Sequence, residues 1–380
     1  MKRSIDRILT THAGSLPRPD DLAHMMYDMM DGKAVDEARV HERVREAVAE
    51  MVKRQVDLGV DVISDGEMSK PNFQTYVVRR WTGFGNTGQL MVSFDDLADV
   101  PDAGRKFWGS EGVKHRPMPE VIGPIKVSDP NAVLRDIADL KAAMGNRSPD
   151  DAFIPAAPPS LVTLTPNRYY KSFDEYNEAV CSALSYEYKA IVDAGFNLQL
   201  DAPDLPMHGH MAIGDNRSRD VKKYVPAAVE AMNHAIRGLP PDKIRLHVCW
   251  GNYDGPHHFD VELREIIEPI LKINASFIYV EAANPRHEHE WEVWQEVKLP
   301  DGKALIPGVI DTVTNHVEHP RLVAQRIERF AQVVGRENVI AGTDCGFGTY
   351  VGMSACEPKV AWLKLQTLVE GARLASQRLF

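Results

Sequence analysis

The chain has 380 residues, with 54 Asp and Glu against 44 Lys and Arg, for a formal net charge of −10. At 44% hydrophobic and 26% charged residues it carries enough apolar surface for a globular core, which excludes disorder as its main state. It has no apolar run of about 18 residues to span a membrane and no basic stripe to track a phosphate backbone, which excludes membrane and nucleic acid as partners.

The N-terminal MKRSIDRILTTHAGS is basic but lacks the apolar stretch of a secretory signal, which places the chain in the cytoplasm. Apolar β-type runs follow at 8–9, 60–63, 152–154, 196–200, 244–246, 277–280, 305–310 and 339–340. Helical patterns lie between them. Val40, Val44, Val48, Val52 and Val56 form an i, i+4 stripe over 36–58. Segments 131–144, 173–194, 221–237, 260–273, 319–334 and 358–376 read the same way. Eight continuous apolar strands alternating with helices predict an α/β fold, a (β/α)8 TIM barrel. The barrel spans 1–380 as a single domain. An excursion after the second strand, at about 85–130, interrupts it with candidate strands at 91–94 and 121–127. A second loop-rich insertion covers 205–224.

Polar residues follow nearly every β run. Ser15 comes after the first, Glu67 after the second, and Asp201 closes the fourth. His247 and Cys249 close the fifth, Glu281 the sixth, Asp311 the seventh and Cys345 the eighth. Barrel enzymes place their chemistry at these strand ends. His247 and Cys249 are two apart on an extended run and so share a face. Two thiolates, an imidazole and a carboxylate favour Zn2+ over the hard cations that take all-oxygen shells. A buried Cys or His taken singly is more often a packing residue, so residue type alone leaves both readings open. Cys181 and Cys356 read as packing. Four cysteines are too few for a disulfide scaffold.

Five segments resemble, in order, motifs of the C-terminal catalytic barrel of the cobalamin-independent methionine synthase family. They are TTHAGSLPRP, SDGEMSK, LQLDAPDL, LHVCWGN and GTDCGFGT. The resemblance implies zinc held by His247, Cys249, Glu281 and Cys345. It implies that Glu67 and Asp201 hold the amino group of homocysteine, and that Ser15, with the backbone near Gly14, holds its carboxylate. Without the resemblance, Glu67 would read as a salt-bridge partner of Lys70 or Arg79, and Asp201 as a loop cap. The implied activity is a zinc-dependent thiol S-alkyltransferase, in which a zinc-bound substrate thiolate attacks an alkyl donor, methyl in this family. A free thiol has a pKa near 8.5 and coordination deprotonates it, so the logic is chemically sound. The implied partners are a small-molecule thiol and an alkyl donor; the oligomeric state, monomer or homo-oligomer, stays open.

The chain departs from the family pattern in three places, one of them a pair of His-rich loops at 250–258 and 284–290 that read as a substrate gate or, more simply, as solvated or locally hydrogen-bonded loop residues. The family synthase is about twice as long, and its N-terminal barrel has no counterpart here, which leaves the folate donor open. Val313 stands where the family has a proton-handling His, so Asp311 and the nearby His316 become the candidate proton-handling pair. Segments EAANPRHEHEW and GVIDTVTNHVEHP also resemble a single-barrel branch that includes epoxyalkane:coenzyme M transferases. That branch implies an alternative in which the thiolate opens an epoxide. Retention of Glu67 and Asp201 counts against it, because two carboxylates repel a sulfonate. A metallohydrolase barrel, which usually begins with His-x-His where this chain has only His12, and a non-enzymatic zinc barrel without a pocket are the remaining readings.

Overall fold

The computed structural model describes residues 1–88, 92–109, 118–213 and 218–380. In chain order its strands are β1 (Leu9–Thr10), β2 (Ile63–Ser64), β3 (Trp81–Gly88), β4 (Val92–Phe94), β5 (Met118–Val127), β6 (Ala152–Ala156), β7 (Asn197–Asp201), β8 (Met211–Ile213), β9 (Ile244–Val248), β10 (Phe277–Val280), β11 (Ala304–Pro307) and β12 (Ile340–Ala341). Parallel ladders run β2–β6–β7–β9–β10–β11, and β12 pairs in parallel with β1. Isolated parallel bridges close the ring, Thr11 to Val62 on one side and Leu305 to Val339 and Gly308 to Gly342 on the other. The result is the eight-stranded TIM barrel that the alternation predicts. Every barrel strand is buried along its whole length, which is why each reads as a continuous apolar run.

The period of two splits each strand between two layers. Ile278 and Val280 pack outward under the helices, whereas Phe277 and Tyr279 join Leu9, Ile306 and Ile340 in the barrel interior. Arg245 also lies in that interior and is fully buried. Its guanidinium donates to Thr11 Oγ1 at 2.9 Å and to the His12 carbonyl at 2.8 Å, and it lies 4.0 Å from the centre of the Phe153 ring. Arg245 thus ties β9 across the barrel to the segment that leads into Ser15.

The seven expected helical segments are all present, beginning with Glu37–Leu58, capped by Asp36, and ending with Pro358–Leu379. The segment expected at 260–273 is shorter, Leu263–Ile270, and carries Pro269 in its last turn. A helix at Asp20–Met30 was not expected. No helix among the described residues is long and apolar enough to cross a membrane.

The excursion begins earlier than its expected start at 85. β3 leaves the barrel at Trp81 and pairs antiparallel with β5, Trp81 opposite Val127 and Phe84 opposite Val121. The segment WTGFGNTG offers no alternation of apolar residues, and at Gly83 (φ +96°) a Cβ would approach the Gly123 and Pro124 carbonyls, so glycine there hides a strand. β4 realises the strand expected at 91–94, except that Met91 lies outside the described residues. It pairs antiparallel with β8, Val92 opposite Ile213 and Phe94 opposite Met211. The two insertions therefore join to roof one side of the barrel mouth.

Candidate metal centre and substrate chamber

β9 delivers His247 from within the strand and Cys249 from just beyond its end. The loop after β12 brings Cys345 to the same place. Sγ of Cys249 and Sγ of Cys345 are 3.4 Å apart, and both are free thiols. Ligand atoms of His247, Cys249 and Cys345 all lie within 4.8 Å of one another. Two sulfurs on a tetrahedral zinc, each at about 2.3 Å, stand roughly 3.8 Å apart, so this spacing and donor set fit the ion. The Cys249 thiol is pushed well up by its contact with Cys345 and by burial. That of Cys345 is lowered by the same contact but raised overall by burial and by Glu281. Thiols in this state need a cation nearby to ionise.

Glu281 does not join that group of three. Its Oε1 accepts from the Trp250 amide at 2.8 Å and its Oε2 from Asn284 Nδ2 at 2.9 Å. Burial, then the nearby Cys249, raises its carboxyl well above the usual range. It lines an adjoining polar cavity of about 370 Å³ with Asn284, Asp311 and Asp344.

Two residues that motif reading did not single out hold these groups in place. Asp344 Oδ1 accepts from the Ala282 and Ala283 amides at 2.9 Å each, and Oδ2 from the Asn284 amide at 2.8 Å. One carboxylate thus fixes the loop that carries Glu281 to the segment that carries Cys345. Burial raises it to about 7. Gln199 donates to Asp201 Oδ1 at 2.7 Å, and the same oxygen receives His247 Nδ1 at 2.9 Å. A carboxylate on one ring nitrogen fixes the tautomer and orients the other nitrogen. Gln199 was legible in principle, two residues before Asp201 and so on its face of β7.

Ser15, Glu67 and Asp201 line a small chamber together with His247, Cys249 and Cys345. Its volume, about 20 Å³, admits roughly one water. The SDGE turn aims Glu67 into it. Ser64 Oγ accepts from the Gly66 amide and Asp65 Oδ1 from the Glu67 amide, which lets Gly66 and Glu67 both take positive φ, +68° and +60°. Positive φ at a non-glycine residue is costly and marks a position the surroundings hold in place. Glu67 is 3% exposed, and its Oε2 is buried without a partner. Burial, then the Asp201 charge, raises it to about 8. Gly14 leaves room for it, since a Cβ there would stand 2.8 Å from Glu67 Oε1. The salt-bridge alternative for Glu67 does not hold: Lys70 gives its ammonium to the Pro155 carbonyl, and Arg79 reaches Glu37 at 3.9 Å. Arg18 donates to the Gly348, Glu67 and Lys70 carbonyls.

Asp311 accepts from the Val313 amide at 3.0 Å and from Thr314 Oγ1 at 2.5 Å. His316 is exposed on the following loop and lines neither the chamber nor the polar cavity. The structure therefore does not bring the Asp311 and His316 pair together at the centre. The His-rich loops form a buried hydrogen-bond network. Asp260 Oδ2 receives His257 Nδ1 at 2.9 Å and His287 Nε2 at 3.0 Å, and His287 Nδ1 meets Glu290 at 2.9 Å.

Residues 8–94 and 164–372 match the family model described as "Cobalamin-independent synthase, Catalytic domain". The chain belongs to this family. It is 25% identical over 372 residues to a methionine synthase of Sulfurisphaera tokodaii, covering 97% of this chain and 93% of that one. It is 24% identical over 373 residues to a methionine synthase of Thermococcus kodakarensis, covering 97% and 94%. The matched region takes in nearly the whole length of both relatives. The fold is similar to that of a B12-independent methionine synthase from Shewanella sp. W3-18-1 in complex with selenomethionine, with a TM-score of 0.74 at 19% identity over 98% of this chain and 99% of that one. A putative B12-independent methionine synthase from Listeria monocytogenes gives 0.65 at 17% identity over 97% and 98%.

Proposed function

We propose that this protein is a zinc-dependent thiol S-methyltransferase of the methionine-synthase type, acting as one catalytic unit on homocysteine or a close amino-acid thiol. The observation that carries the reading is the shared wall. The His247, Cys249 and Cys345 group faces the chamber into which Glu67 and Asp201 turn their carboxylates. His247, Cys249 and Cys345 would hold zinc, and Glu281 would become the fourth donor by turning a carboxylate oxygen away from Trp250 or Asn284. Zinc, when bound, supplies the positive charge that lets a substrate thiol ionise near neutral pH. Glu67 and Asp201 would receive the substrate ammonium, and Glu67 gives up its proton as it does so. Ser15 would donate its hydroxyl to the substrate carboxylate.

Coenzyme M suits the chamber less well. Its sulfonate would face Glu67 and Asp201, while Arg18 and Lys70 are committed to backbone carbonyls. Metal quantification combined with X-ray absorption tests the reading. Homocysteine should add one sulfur to the zinc shell and coenzyme M should not. If neither thiol changes the shell, thiol activation is wrong. A Cys249→Ser variant that keeps full zinc and full activity would sink the ligand assignment.

A further inference from the structure

The substrate chamber adjoins a second cavity of about 60 Å³, and the two share Phe73, Pro203, Cys249 and Thr349 as wall. This cavity lies under the joined insertions. Five aromatic rings line it, those of Phe73, Phe94, Phe107, Tyr253 and Tyr350. Phe94 stacks on Tyr253 at 5.2 Å between ring centres, Phe107 meets Tyr253 at 5.4 Å, and Phe73 meets Tyr350 edge to face at 5.4 Å. Methionine and aliphatic side chains and the uncharged polar residues Gln74, Asn252 and Thr349 complete the wall. Among the described residues, no Lys, Arg, His, Asp or Glu lines it. The Tyr253 hydroxyl is 2.7 Å from Asp96 Oδ2 and donates there.

These features constrain what the cavity can hold. Cys249 in its wall sets any occupant directly against the sulfur-binding centre, where an alkyl carbon has to arrive. Among the described residues no Asp, Glu, His, Lys or Arg lines the cavity, so none of them is placed there to give a proton to a leaving amine or alkoxide. Aromatic rings attract positive charge, and the Glu67 and Asp201 carboxylates next door do the same while repelling anions. The volume admits a head group of about four non-hydrogen atoms.

We propose that this cavity is the donor subsite and that it takes a methylsulfonium head group. The proposal rests on the reading of the chain as a thiol methyltransferase. The acceptor thiol loses its proton to solvent on binding. The thiolate sulfur then uses an electron pair to form the new bond to methyl carbon. The old bond from methyl to the positive sulfur breaks, its electron pair stays on that sulfur, and a neutral thioether leaves. One negative and one positive charge cancel, and no acid is required.

Two readouts test this. In calorimetry on the zinc-loaded protein, trimethylsulfonium should bind at least about tenfold tighter than dimethyl sulfoxide, a neutral molecule of the same pyramidal shape. Phe94→Leu should abolish that preference, and so should Phe107→Leu, which alters a half-buried ring on the helix Pro101–Trp108 and guards against a folding artefact. Equal binding of the two probes, or a preference that survives both variants, overturns the proposal. In turnover, homocysteine and methyl-labelled trimethylsulfonium should give labelled methionine and dimethyl sulfide. Methionine formed from methyltetrahydrofolate but not from the sulfonium overturns the donor assignment while thiol methyl transfer stands. Sulfonium preference without entry of thiol into the zinc shell supports the cation site and sinks the proposed function.

Discussion

Glu67→Gln isolates the most perturbed carboxyl of the substrate chamber. Burial and Asp201 raise Glu67 from 4.5 to about 8 in the folded protein. Below pH 4.5 the group is neutral in both states and costs nothing. Between 4.5 and 8 the unfolded chain has lost the proton while the folded chain keeps it, so stability falls as pH rises, by about 1.36 kcal/mol per pH unit. Above 8 the full cost, about 5 kcal/mol, is present. Glutamine carries no such dependence. Urea unfolding at pH 5.5 and 7.5 should therefore show wild type losing roughly 3 kcal/mol relative to Glu67→Gln over those two units. The same carboxyl should release a proton when an amino-acid ligand brings its ammonium to it at pH 7. The binding enthalpy of methionine should then vary with the ionisation enthalpy of the buffer in wild type and not in the variant. Parallel stability profiles for the two proteins would refute the assignment of the raised carboxyl to Glu67.

Asp201→Asn keeps the shape of the side chain but removes the anion on His247 Nδ1. Zinc affinity, read by competition with a chromophoric chelator, should fall about 10- to 100-fold, and an unchanged affinity contradicts the orienting role. Gly14→Ala forces a Cβ against Glu67 Oε1 at a backbone φ of +127°. It should cost roughly 1–3 kcal/mol in denaturant unfolding and raise KM for the thiol; a variant with wild-type stability and KM would show that Gly14 does not leave room for Glu67.

The barrel was legible because strands buried on both faces leave continuous apolar runs, from 8–9 to 339–340, and the helices between them carry clear stripes. The excursion was less so. Its first strand has only Trp81 and Phe84 among Gly, Thr and Asn, and its pairing with β5 depends on residues about forty positions away. At the site, strand-end position marked His247, Cys249, Cys345, Glu67 and Asp201 as candidates and the family resemblance gave them roles; the fold gathers all five around one chamber. What Asp344 does was not legible, because its partners lie on a loop sixty residues earlier and are backbone amides with no side-chain signature. Glu281 shows the converse: its position at the end of β10 was readable, but the direction of its carboxylate is set by Trp250 and Asn284. His316 failed because spacing along a loop does not fix where a side chain comes to rest.

The roof over the barrel hangs on two short ladders, β3 with β5 and β4 with β8, and neither is hydrogen-bonded to a barrel strand. The family match also lapses from 95 to 163, a stretch that includes Phe107 and β5. The lapse does not follow the boundary between roof and barrel, because it also spans the barrel strand β6, whereas the roof strands β4 and β8 fall within the match. Because Cys249 stands in the wall of both compartments, a change in the roof reaches the edge of the chamber without altering a barrel strand.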